Sequence, residues 1–237
     1  MCVPFCILCA LCGETPHFKM SILDKLSSQV GDRTNAADHK VAEQVLDDPD
    51  LLKDIAVGLE MKDAALAADC AEVMTYVAER KPELVAPYAK LLFRLLDHKN
   101  TKVRWEAMHS LSLVTPLAPK VVALLLPRLS EIVEKDSSTI VRDYAVSTLA
   151  NYASTGKKAA QAAYPFLKQA LRAADGRHAA RALEGMVHVA RLDAQLKPKL
   201  QKLGSEYLND RRGVTRKAAK ALVKATEEQQ RTGGTRA

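Results

Sequence analysis

The sequence predicts an all-α fold, a solenoid of about five stacked helix pairs. Glycine is scarce, strand-like alternation is absent, and a triplet of small or mostly apolar side chains recurs five times. Each triplet has four-plus-four spacing, which places its members on one face of a helix. The triplets start 37, 38, 37 and 36 residues apart, a period typical of stacked helical repeats. They are Leu66, Cys70, Met74; Val103, Ala107, Leu111; Val141, Ala145, Leu149; His178, Ala182, Met186; and Val214, Ala218, Leu222.

An amphipathic first helix is predicted ahead of each triplet, which itself lies in the second helix of the pair. The first helix of one unit carries an apolar stripe with three- and four-residue spacing, from Leu84 to Leu96, and another runs from Leu196 to Leu208. A proline stands 13 to 17 residues ahead of every triplet: Pro49, Pro87, Pro127, Pro165 and Pro198. Proline is tolerated in the first turn of a helix and bends it further in.

Residues 87–111, PYAKLLFRLLDHKNTKVRWEAMHSL, resemble a HEAT repeat. The resemblance is carried by Asp97, Val103, Arg104, Ala107 and Leu111, and residues 127–149 repeat it with Asp136, Val141, Arg142, Ala145 and Leu149. The last two units depart from it, because His178 replaces the valine and Thr215 follows Val214 where arginine is expected. The resemblance implies a right-handed α–α superhelix whose second helices line the concave face. It also implies that Arg104 and Arg142 pair with acidic residues of an adjoining unit.

Composition divides the chain into four predicted segments. Residues 1–19 form a Cys-rich leader that we expect to be disordered or non-native, with Met20 as the authentic start. Residues 20–48 form an N-terminal helical cap that begins with a capping box at Ser21 and Asp24. Residues 49–226 hold the HEAT-like repeats, and the polar residues 227–237 form a disordered tail.

Charge is distributed unevenly along the chain. Residues 1–153 carry 17 basic and 21 acidic side chains, a net charge of −4, whereas residues 154–237 carry 18 and 7, a net charge of +11. The repeats therefore have a mildly acidic front and a strongly basic rear. The sequence contains no run of about 18 apolar residues, which is the length needed to span a membrane. Because the body of the chain keeps a single cysteine, Cys70, we expect a cytoplasmic protein.

The sequence gives little support for cofactor or metal chemistry. Four leader cysteines, Cys2, Cys6, Cys9 and Cys12, match iron–sulfur spacings, but no glycine-rich cofactor loop or second cysteine set follows. HEAT-repeat deoxyhypusine hydroxylases hold iron through His-Glu pairs, and this chain has no His-Glu dipeptide. We therefore expect no metal site and no cofactor.

A comparison with one further family of HEAT-like enzymes keeps an enzymatic function as an alternative. The HEAT-like alkylpurine DNA glycosylases use tryptophans and an acidic residue in a basic groove. Here a single tryptophan, Trp105, and Asp143 one repeat further on are the available counterparts. A lyase-like or glycosylase-like activity is thus kept as the second alternative. With no nucleophile–base pair in the sequence, we predict that the protein is not an enzyme and has no catalytic residues.

The predicted binding surface is the ridge of the second helices that lies opposite the triplets. It carries Lys102, Trp105, His109, Asp143, Arg177 and Arg216. Trp105 is the predicted anchor, because an exposed indole is costly unless a partner or a neighbouring side chain covers it. A protein partner is the leading hypothesis, and the basic rear would steer an acidic surface. The oligomeric state is left open.

Basic stripes on the rear second helices suggest nucleic acid as the alternative partner. Arg177, Arg181, Arg216, Lys217 and Lys220 recur at helical spacing and could contact phosphates. Few aromatic side chains accompany them, so little is available for bases to stack on. A solvated basic face is at least as good an interpretation.

The leader gives a first testable prediction. A chain that begins at Met20 should keep the unfolding free energy of the full chain within about 0.5 kcal/mol in urea titrations. A loss of several kcal/mol, or stoichiometric iron or zinc in full-length protein purified without oxygen, would contradict the prediction.

Overall fold

The structure, a computed structural model, describes residues 21–228. Within this span the chain is helical without a strand, which confirms the all-α solenoid. Short 3-10 turns join fourteen α-helices, which are α1 (Ser27–Val30), α2 (Ala36–Asp47), α3 (Leu52–Leu59), α4 (Ala64–Arg80), α5 (Pro82–Val85), α6 (Ala89–Arg94), α7 (Thr101–Val114), α8 (Pro119–Ala123), α9 (Leu126–Lys135), α10 (Thr139–Ala153), α11 (Lys157–Ala170), α12 (Ala179–Leu192), α13 (Lys197–Glu206) and α14 (Gly213–Glu227).

The helices form two layers. Helices α4, α7, α10, α12 and α14 are the predicted second helices, and each packs against the next. Helix α2 extends this row at its N-terminal end by packing against α4. The first helices α3, α6, α9, α11 and α13 form the other layer, each against the second helix that follows it. Stacking buries a continuous apolar core that no single unit could form.

The triplets line this core in four of the five units. Every residue of the first four triplets is at most 7% exposed. In the last unit Ala218 and Leu222 are buried as predicted, but the first member was wrong, because Val214 is 67% exposed and Thr215 is buried in its place. With Thr215 as the start, the units begin 37, 38, 37 and 37 residues apart, and Arg216 follows Thr215 as Arg104 follows Val103.

These arginines fold back onto the turn between the two helices of their unit. Arg104 Nη1 donates to the carbonyl oxygens of His98 (2.9 Å) and Lys99 (3.2 Å). Arg216 Nη1 donates to the carbonyl oxygens of Asp210 (2.8 Å) and Arg211 (3.1 Å), which is the same arrangement three units later. The guanidinium thus satisfies carbonyls that the end of the first helix leaves without helical partners.

The prolines mark the first helices as predicted, in two ways. Pro127 and Pro198 lie in the first turn of α9 and α13, where the missing N–H costs nothing. Pro87 lies in the 3-10 turn that separates α5 from α6, and Pro165 lies within α11. In these four units proline thus lies near the start of the first helix, in a turn ahead of it or within it, whereas the second helices contain no proline and run for 14 to 17 residues.

The N-terminal segment begins with the predicted capping box, in which Ser21 N donates to Asp24 Oδ2 at 2.9 Å. Gly31, with φ of +73°, ends α1 in the left-handed conformation that glycine adopts without strain. The four leader cysteines and residues 229–237 lie outside the described residues, so the predicted leader and most of the predicted tail are not placed.

Close packing between units depends on small side chains in the second helices. A Cβ added to Gly185 in α12 would lie 2.9 Å from Ala150 Cβ and 3.0 Å from Ala150 Cα in α10. The Ala150 Cα belongs to the backbone of α10 and cannot rotate away. Only a glycine at this point lets the two helices approach to this distance.

We expect Gly185→Ala to destabilise the protein. Overpacking costs about 1–3 kcal/mol, which exceeds the gain of about 1 kcal/mol from the higher helix propensity of alanine. Urea denaturation would measure the change. Gly213→Ala is the matched control, because the nearest atom to its added Cβ is the flexible end of Arg216 at 3.6 Å, and it should be neutral or slightly stabilising.

Candidate functional site

Three half-buried aromatic side chains lie on successive second helices, outside the buried triplets. They are Tyr76 on α4, Trp105 on α7 and Tyr144 on α10, and each packs against the core on one side. Charged and polar groups surround them. This surface and its continuation on α12 and α14 correspond to the ridge expected from the sequence, and we keep that name for it. Of the three aromatic residues, sequence reasoning singled out only Trp105.

Trp105 is half-buried, with its polar edge bound within the chain. Its indole N–H donates to the carboxylate of the adjacent Glu106, and its ring packs against the core. Glu106 is itself buried, and desolvation raises the pKa of its carboxyl. The indole is therefore half-buried and oriented, which is the cover by a neighbouring side chain that the sequence left open, and a neighbouring acid binds its polar edge.

Lys102 links two helices instead of projecting freely. Its Nζ lies 2.6 Å from Glu72 Oε2 and 3.9 Å from Asp69 Oδ1, both on α4. Glu72 also faces His39 of α2, with 3.4 Å between Oε1 and Nε2. Lys102 thus partly neutralises an acidic pair, Asp69 and Glu72, that the sequence analysis did not identify. Both residues are close in sequence to the members of the first triplet, and their pattern is that of polar positions at the edge of the core.

His109 stacks on Tyr144 of the next unit, with ring centroids 4.0 Å apart and an interplanar angle of 14°. Burial lowers the pKa of His109, although Glu79 lies 3.9 Å from its Nε2. A neutral imidazole is what such a stacked, half-desolvated ring favours. His109 therefore supports the aromatic part of the ridge and leaves little of itself for a partner.

Asp143 joins α10 to α12 through two contacts. Its Oδ1 lies 3.2 Å from Nδ1 of the buried His178, and its Oδ2 accepts a hydrogen bond of 3.1 Å from Arg181. The His178 hydrogen bond and Arg181 lower the pKa of Asp143, so the carboxylate stays ionised. Nearby, Arg177 donates to the Thr139 hydroxyl at 3.2 Å.

The predicted basic residues of the rear are therefore of two kinds. Arg177, Arg181 and Arg216 are committed to contacts with a hydroxyl, a carboxylate and two carbonyls. Lys217 and Lys220 are exposed and form no ion pair within residues 21–228. Of these five side chains only Arg181 is paired with carboxylates, so within residues 21–228 the positive charges of the other four are not balanced by an ion pair.

Chemically reactive groups are few on the described part of the chain. Cys70 is buried beside Gly58, and desolvation raises the pKa of its thiol to about 12, which makes it a poor nucleophile. No three His, Cys, Asp or Glu side chains between residues 21 and 228 group as metal ligands. No helix of this region has the length and hydrophobicity to cross a membrane.

The comparisons with known proteins show the fold. No family model and no curated protein sequence matches this chain. Among solved structures, an engineered protein superposes with a TM-score of 0.69 at 17% identity, covering 86% of this chain and 94% of its own. A designed armadillo repeat protein in complex with the peptide (KR)4 gives 0.68 at 18% identity, covering 86% and 98%. Computationally designed armadillo repeat proteins for modular peptide recognition give 0.64 at 19%, with the same coverages. The chain is a helical repeat solenoid.

Nucleic-acid binding should be feeble, because few aromatic side chains accompany the basic stripes and the acidic front of the chain would repel a long polyanion. At about 150 mM salt we expect duplex and single-stranded DNA or RNA to bind more weakly than micromolar, and Lys217→Glu with Lys220→Glu should change little. Filter binding over a salt series would measure this, with Lys199→Glu and Lys202→Glu on α13 as the control. Micromolar binding abolished by the α14 pair alone would contradict the prediction.

Proposed function

We propose that this protein is a non-enzymatic, HEAT-type scaffold that binds a segment of a partner protein along the ridge. The observation that carries the proposal is that three successive second helices each present a half-buried aromatic side chain, namely Tyr76, Trp105 and Tyr144. Aromatic residues held in place on one side are typical anchors of protein interfaces, since they add contact area at low entropic cost. Their polar surroundings supply the hydrogen-bonding rim of such an interface.

The HEAT assignment is supported by the arginine contacts. Arg104 binds the carboxylate of Asp136 in the next unit, with Nε to Oδ2 at 3.1 Å, and both side chains are largely buried. The Asp136 carbonyl oxygen in turn accepts from Arg142. The Arg104–Asp136 pair is the contact between units that the HEAT resemblance implies, whereas Arg142 forms no ion pair within residues 21–228.

The two ends of the ridge differ in charge, which supports a partner segment that is itself polarised. Glu43, Glu79 and the Asp69–Glu72 pair make the α2–α4 end acidic, whereas Lys217 and Lys220 make the α14 end basic. One of the similar solved proteins was determined with a (KR)4 peptide. A cationic stretch of a partner would fit the acidic end of the ridge, and an acidic stretch would fit α14.

The absence of catalysis is part of the proposal and is supported by how the polar groups are used. The ionised Asp143, the acid that the glycosylase comparison would require, is engaged by both His178 and Arg181. The thiol of Cys70 is buried and protonated. A cytoplasmic location is proposed on the same thiol, since a reducing compartment suits an unpaired cysteine.

The test is partner capture with the full chain and with Trp105→Ala, quantified by mass spectrometry and followed by binding measurements on the purified partner. Removing the anchor should weaken binding by about tenfold or more. Phe166→Ala is the control, because Phe166 is an equally half-buried aromatic residue in the first-helix layer. Thermal melting would show that both variants fold.

Two outcomes would overturn the proposal. A partner retained equally by Trp105→Ala and the unaltered chain would remove the ridge as its binding surface. Capture that disappears on nuclease treatment would favour nucleic acid over protein.

A further inference from the structure

A second surface, unrelated to the ridge, lies in the first-helix layer. A groove of about 490 Å³ runs between α6 and the start of the next unit. Its lining residues are Lys90, Phe93, Arg94, Lys120, Val121, Leu124 and Leu125. The volume falls within the range of about 300–1,000 Å³ that is usual for ligand sites. The sequence analysis did not identify this groove.

The floor and one wall of the groove are apolar. Leu124 is 81% exposed, which makes it the most exposed large apolar side chain between residues 21 and 228. Phe93 and Val121 are half-buried, and Leu125 is buried beneath them. Scattered exposed leucines are common on proteins, but one that adjoins a half-exposed phenylalanine and valine forms a contiguous patch of the kind that binds another protein.

The rim of the groove is cationic. Lys90, Arg94 and Lys120 surround it, and none of the seven lining residues is acidic. Arg94 is paired with Glu60 of the preceding unit. Within the described region, Lys90 and Lys120 are exposed and have no carboxylate within ion-pair distance. Two lysine charges at the edge of an apolar groove therefore have no counterpart in the chain itself.

We propose that this groove binds an acidic segment of a partner protein that carries two or three adjacent large apolar side chains. The apolar side chains would cover Leu124, Phe93 and Val121, and the flanking carboxylates would pair with Lys90 and Lys120. Charge complementarity selects an acidic segment over a basic one, and the apolar floor excludes a purely electrostatic ligand. The groove belongs to the layer of α6 and α8, so it acts independently of the ridge.

A defined probe tests this inference on the full chain. A fluorescein-labelled peptide with a central Phe-Leu-Leu flanked on each side by Glu-Asp pairs is titrated by anisotropy. We expect saturable binding with a Kd in the range of about 10–100 µM. Leu124→Ser should weaken it about tenfold or more, because the variant loses the burial of one large apolar side chain. Lys90→Glu with Lys120→Glu should weaken it at least as much at low salt.

Matched variants and peptides make the test specific. Val214→Ser removes another highly exposed apolar side chain, and Lys199→Glu with Lys202→Glu reverses two exposed lysines of α13, so both controls should bind normally. A peptide with Lys-Arg flanks and one with serines in place of Phe-Leu-Leu should not bind.

Three results would overturn the proposal. The first is no saturable binding of the acidic apolar peptide up to about 1 mM, and the second is equal binding of the Lys-Arg version. The third is self-association in sedimentation experiments that Leu124→Ser abolishes, which would assign the groove to a second copy of the chain.

Discussion

The close approach of successive second helices is the constraint on which the rest of this structure depends. A unit of about 37 residues is too small to bury its own apolar faces, so each must share them with the next. Sharing requires that the facing side chains be small, as Ala107, Ala145 and Ala182 are, and that Gly185 leave room for Ala150. This spacing positions the larger residues of the core. It also fixes the distance that a polar side chain on the ridge must span to contact the next helix.

That spacing explains why so much of the charge on the ridge is already paired. Lysine and arginine side chains are long enough to bridge adjacent helices, so Lys102 reaches α4 and Arg181 reaches α10. Each such pair is worth little where it is exposed to solvent, but together the pairs orient the side chains of neighbouring units. A surface whose side chains are already ordered loses less entropy on binding, which favours a recognition role for the three aromatic side chains of the ridge.

The period of the sequence was sufficient to predict the fold, and side-chain reach explains where the prediction of the site was incomplete. The triplet from Val103 to Leu111 could be identified as buried because burial repeats with the helix. The first triplet position of the last unit was wrong, since Val214 is the more apolar neighbour, whereas the burial of Thr215 and the contact of Arg216 with the turn identify Thr215 as the equivalent position. The orientation of the Trp105 indole N–H depends on where the Glu106 carboxylate lies, which no periodic pattern encodes.

The groove was missed for a different reason, although the sequence contains a signal for it. Residues 121–126 read VVALLL, six consecutive apolar residues where a helix against one layer can bury only about half of its circumference. Such a segment must expose part of its apolar surface, and Leu124 is the residue that does so. Because the break between α8 and α9 falls within these residues, periodicity could not indicate which side chain would face outward. The solenoid therefore offers two surfaces of different character: a ridge whose charges on α4, α7 and α10 are largely paired within the chain, and a groove whose apolar floor and lysine charges have no counterpart there.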